Sequence, residues 1–131
     1  MIVATQNQNE DIFTLARVVN PQQQPIVGAD IASIQLKVYD LSTQSTTAVY
    51  TVAALPIGQV ISDSLQTTYG WSQDALGWNF KHRLEVTALG LGISLIGGHT
   101  YRLEFKLASQ GAQDWTFLYV NKVVTILPQL S

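Results

Sequence analysis

34-IQLKVYD-40 and 101-YRLEFKL-107 carry the clearest alternation of apolar and polar residues in the chain. In the first, Ile34, Leu36 and Val38 share one face and Gln35, Lys37 and Tyr39 the other. In the second, Tyr101, Leu103, Phe105 and Leu107 alternate with Arg102, Glu104 and Lys106. A period of two belongs to a strand with one dry and one wet face, because successive side chains leave the pleated backbone on opposite sides. Strands of this kind form antiparallel sheets that bury their dry faces against a second layer.

Working outward, residues 12–19 are β-branched and partly alternating, which predicts a first core strand. It ends at 20-NPQQQP-25, where two prolines cannot donate to a ladder. Further strands are expected at 31–39, 48–52 and 57–65, the last with Val60 and Ile61 as its apolar content. Asp74 and Gly77 supply turn chemistry. From Trp78 onward Phe80, His82, Leu84 and Val86 alternate against Asn79, Lys81, Arg83 and Glu85. The glycine-bearing stretch 86-VTALGLGISLIGG-98 leads to a flexible connection at Gly97 and Gly98. Residues 115–126 form a last β-rich segment, broken at Asn121 and Lys122 and ended by Pro128. No helical period of convincing length occurs. Short strands about ten residues apart predict an all-β, antiparallel β-sandwich of about seven to nine strands over residues 12–127. Residues 1–11 read as an N-terminal arm outside the core, with Ile2 and Val3 placed to add a strand to a neighbour's sheet, and residues 128–131 as a tail.

Composition narrows the function. Charged residues make up 12 % of the chain, against about a quarter in ordinary proteins, whereas the apolar share is 47 %. Gln, Thr, Ser, Asn and Gly fill the gap, and so neutral a surface suits area covered by other protein. The net charge is −2, and the seven basic residues are scattered. Nucleic acid is therefore not an expected partner, since phosphate binding draws on clustered Lys and Arg. Cysteine is absent, which excludes disulfides and thiolate metal sites and fits synthesis in a reducing cytoplasm. The opening MIVATQNQNED lacks the basic region of a signal peptide, and no stretch approaches the roughly twenty apolar residues of a membrane helix. Neither secretion nor membrane contact is expected.

Catalytic groups are few. His82 and His99 are the only side chains that titrate near neutrality. His82 falls on the apolar face of its strand and reads as an inter-sheet histidine, while His99 follows a turn with no carboxylate beside it in sequence. Ser62-Asp63-Ser64 and Ser72-Gln73-Asp74 set hydroxyls near acids, but no nucleophile elbow surrounds either. The carboxylates lack calcium-loop spacing, and the glycines at 90–92 and 97–98 precede no phosphate-binding helix. No catalytic residue, metal ligand or cofactor is expected. Trp71, Trp78 and Trp115 are the candidates for a sugar-stacking platform, although buried or interface tryptophans satisfy the same pattern.

The stretch 24-QPIVGADIASIQLKVYDLST-43 resembles the second-strand region of immunoglobulin-like modules, and 74-DALGWNF-80 and 98-GHTYRLEF-105 are similar to their turn-plus-strand and G-x-x-Y elements. The resemblance spans roughly residues 12–127. Antibody-type domains pair two cysteines around a tryptophan, and this chain has none, so antibody-like recognition is not implied. With the arm and the low charge, the chain is most similar to small structural proteins of tailed bacteriophage particles. That resemblance implies a non-enzymatic virion protein, a capsid decoration or cement protein in the first reading and a tail or baseplate component in the second. Its expected partners are other virion proteins and further copies of itself. The expected assembly contacts are Ile2, Val3, Trp71 and Trp115. The alternative of a different class is a carbohydrate-binding module using Trp71, Trp78 or Trp115.

Overall fold

In the computed structural model, which describes residues 2–7, 10–44, 46–85, 95–111 and 113–128, the chain forms an eight-stranded β-sandwich. The strands are β1 (Ile2–Asn7), β2 (Ile12–Ala16), β3 (Ile31–Asp40), β4 (Tyr50–Val52), β5 (Ile61–Gln66), β6 (Trp78–Leu84), β7 (Thr100–Ser109) and β8 (Phe117–Leu127). One sheet has the order β1-β8-β7-β3-β4 and the other β2-β6-β5. That is the Greek-key arrangement of an immunoglobulin-like sandwich, with the first strand paired to the last. Among the described residues all strand pairs are antiparallel except β1 with β8.

The two diagnostic runs lie side by side, Leu36 opposite Phe105 and Val38 opposite Leu103. Their alternate side chains are sealed off as the pattern requires: Ile34, Leu36, Val38, Leu103, Phe105 and Leu107 are all fully buried. Phe80 of the facing sheet meets Phe105 edge to face at 4.9 Å, a favoured aromatic geometry. Tyr101, at the start of β7, is buried with its hydroxyl oxygen accepting the Ile96 N–H at 2.9 Å. This is the tyrosine corner of immunoglobulin-like domains, and Leu103, two residues on, stands where those of antibodies carry cysteine.

Several expectations are corrected. The segment 1–11 is not an arm over Ile2–Asn7. This stretch is strand β1, running parallel to β8 from Ile2↔Lys122 to Asn7↔Leu127, with Ile2 packed against the core. The physical reason is β8 itself, whose outward backbone groups need a partner, and a parallel partner can come from the far end of the chain without a tight turn. Residues 57–60 are one helical turn, α1 (Ile57–Val60), and the strand begins only at Ile61. Asn121 and Lys122 do not interrupt the last strand. Lys122 lies within β8 and is buried, reaching between the sheets to donate from Nζ to the Phe13 carbonyl oxygen. Burial pushes its ammonium below the usual lysine range. The expectations for Val86 and for the stretch 86–94 lie outside the described residues, as do Met1 and residues 129–131.

Asn79 accounts for a break in alternation on β6, where Trp78, Asn79 and Phe80 are all buried. Its Oδ1 accepts the Val18 N–H, and its Nδ2 donates to the carbonyls of Val18 and Ile26. The side chain thus pins the proline-bearing loop between β2 and β3 to the second sheet, supplying backbone groups that a loop cannot pair for itself.

Candidate functional site

The residues singled out in the sequence are not brought together. Val3 is 75 % exposed on β1, whereas its neighbour Ile2 packs inward. Trp115 joins the hydrophobic core and Trp78 is also buried, its Nε1 donating to the Thr68 carbonyl oxygen at 3.0 Å. Trp71 is half-buried, with Nε1 shared between the carbonyl and the carboxylate of Asp74. Three indoles set in a core, under a turn and within a turn do not make one stacking platform.

Asp74 organises that turn. Its Oδ1 accepts the N–H groups of Leu76 and Gly77, and its Oδ2 meets Arg17 at 2.7 Å. The Gly77 amide first, with Arg17, Trp71 and Leu76 adding to it, holds the carboxyl down at about 2. Gly77 has φ 107°, and a Cβ there would lie 2.3 Å from the Gln66 carbonyl oxygen, so only glycine fits this approach between turn and β5.

The histidines take different structural roles. His82 faces Phe105 edge to face at 5.0 Å between the sheets, and its Nδ1 is buried with no hydrogen-bond partner among the described residues. Burial lowers its pKa from 6.5 to about 4, so the ring is neutral at pH 7. Thr14, opposite it on β2, has a buried Oγ1 that likewise meets no partner among the described residues. His99 does have a carboxylate beside it, contrary to its sequence neighbourhood: Asp40, at the end of β3, reaches its Nδ1 at 2.8 Å. Sequence adjacency could not reveal this, because the pairing of β3 with β7 closes the gap. Asp40 is 4 % exposed and also accepts the Ser42 N–H, while Ser42 Oγ accepts the Thr100 N–H. These bonds tie two turns together at one end of the sandwich. The carboxylates are dispersed: among the described residues no group of three or more His, Cys, Asp or Glu could hold a metal ion.

Two surfaces have the character of binding sites. The first is the β1–β8 edge of the larger sheet. Val3, Tyr119 and Leu127 are exposed there, and a shallow groove of about 290 Å³ beside it is lined by Ile2, Arg17, Val19, Leu118, Tyr119 and Asn121. The second lies on the smaller sheet, where β5 and β6 pair at Ile61↔Phe80 and at Gln66↔Trp78 with a register shift between. Two clefts of about 470 and 350 Å³ open there and share Gly58, Gln59, Val60 and Lys81. Tyr69 and Lys81, which flank this opening, escaped the sequence reading: Tyr69 belongs to a turn without periodicity, and Lys81 is one polar residue in an alternating strand.

No protein-family model, curated protein or solved structure matches the chain.

Proposed function

We propose that this chain is a non-enzymatic virion structural protein, a capsid decoration or cement protein of a tailed phage, that attaches to a protein lattice through its β1–β8 edge. The observation that carries this reading is the character of β1. Its residues, IVATQN, contain no charge and no proline, the devices by which edge strands normally repel pairing, and the adjoining surface exposes Val3, Tyr119 and Leu127. Such an edge accepts a further strand, and the exposed apolar side chains beside it give that strand something to cover. In this role β1 receives a neighbour's strand rather than being donated to it. Low overall charge and the resemblance to small immunoglobulin-like phage proteins support the same reading. His82 lies between the sheets and His99 in a turn clamp with Asp40.

The test is to produce the tagged chain during phage growth and fractionate capsids and tails on gradients. Stoichiometric recovery with capsids is the expected result. Recovery with tails would move the assignment to a tail component, and absence from particles would overturn it. Val3→Lys should abolish recovery while changing stability by no more than about 0.5 kcal/mol, as surface substitutions usually do.

A further inference from the structure

The open side of the smaller sheet carries chemistry that attachment through the opposite sheet does not use. Phe13, Tyr69 and Trp78 form a row of rings with centroids 5.7 and 5.9 Å apart. Tyr69 has φ 58°, a left-handed conformation that is an outlier for so bulky a side chain. Its turn is held in place by the Thr68 carbonyl oxygen, which accepts both the Trp78 indole N–H and the Trp71 amide. The result is a tyrosine residue 61 % exposed beside the clefts. Strain of this kind persists only where the surroundings impose it, and it clusters at ligand sites.

Lys81 stands where the two clefts meet. Its Nζ lies 4.9 Å from the Tyr69 centroid and 5.7 Å from that of Trp78. The rings orient the ammonium without cancelling its charge, and no carboxylate among the described residues forms an ion pair with it. Arg83, on the same strand, is already paired with Asp11 at 2.7 Å. In a chain of net charge −2, neither cleft is lined by an Asp or Glu. Gln59, Gln66, Ser62 and Thr68 instead supply neutral amides and hydroxyls.

We propose that this groove binds an acidic saccharide, with a sugar ring against Tyr69, sugar hydroxyls on the neutral amides and hydroxyls, and a carboxylate on Lys81. One unneutralised cation among several neutral hydrogen-bonding groups matches the one carboxylate among several hydroxyls of a uronic acid. An acidic peptide would ask for a second free cation, which Arg83 does not provide. The site shares no residue with the β1–β8 edge and stands or falls independently of lattice attachment.

The full-length chain would be titrated at low salt with hexagalacturonate, maltohexaose and hexaglutamate, followed by calorimetry and tryptophan fluorescence. Hexagalacturonate should bind with a Kd below about 1 mM and at least about tenfold more tightly than maltohexaose. Lys81→Gln and Tyr69→Leu should each weaken it about tenfold, with unchanged melting of Lys81→Gln certifying the fold. Absence of binding, equal binding of maltohexaose, or an unaffected Lys81→Gln would overturn the proposal. Hexaglutamate binding as tightly as hexagalacturonate would overturn it in favour of an acidic peptide.

Discussion

The two sheets are built to different standards. In the larger one, β3 and β7 pair without a shift from Ile34↔Leu107 to Asp40↔Tyr101, and β7 and β8 do so from Thr100↔Thr125 to Ala108↔Phe117. In the smaller one, β5 meets β6 at two positions with an irregular stretch between, and α1 and the 55–62 segment flank the opening rather than closing it. Binding chemistry can reside where the ladder is broken. The continuous ladder buries alternate side chains and carries smaller hollows, of about 160 and 290 Å³, whereas beside the interrupted one a lysine and a tyrosine share clefts of about 470 and 350 Å³. At the same time the first sheet puts its available surface at its rim, on β1, because its middle is already committed.

The two sheets depend most on each other at Phe105, which is fully buried on the regular sheet and contacts Phe80 of the irregular one. Phe105→Ala should cost about 3–5 kcal/mol in denaturant unfolding. A cost close to zero would mean that the sheets are not packed through this pair.

A second effect comes from His82, on the strand where the smaller sheet opens. With a pKa near 4 in the folded state and 6.5 in the unfolded, the unfolded chain takes up the proton first. Stability from this residue is therefore complete above pH 6.5 and is lost as the pH falls toward 4, by on the order of 3 kcal/mol. His82→Leu should flatten melting temperature against pH across that window. An unchanged slope would show that the imidazole is hydrated in solution and that the sheets part there.

The smallest of the three effects sharpens the contrast at the turn. Gly77→Ala would bring a Cβ onto the Gln66 carbonyl oxygen and require a non-glycine residue at φ 107°. A loss of about 1–3 kcal/mol is expected from backbone strain alone, with the β5–β6 contact at Gln66↔Trp78 shifted. Gly58→Ala, where an added Cβ meets nothing within 4 Å, should have little effect on stability by comparison. Equal losses at the two glycines would refute the close approach.

Much of the regular sheet was legible in the sequence. Ile34, Leu36 and Val38 and their partners on β7 announced their buried face by strict alternation, since a half-buried strand admits only one register. The irregular sheet was less so. Residues 57–60 carried the apolar content of a strand but form a helical turn, and short apolar runs do not distinguish the two. Lys122 looked like an interruption because a charged residue inside a strand signals exposure, yet its long side chain reaches the Phe13 carbonyl across the sandwich.

By itself, then, the amino-acid sequence determined the all-β class, the inward faces of β3 and β7 and the lack of cysteine chemistry, because these follow from local period and composition. Tertiary structure alone decided that residues 2–7 close the edge of β8, that Asp40 meets His99, and that Tyr69, Trp78 and Lys81 share one groove. Each of those joins residues far apart in the chain or set in aperiodic turns. Their proximity is fixed by which strands pair and by where that pairing fails, and neither is written in any local pattern.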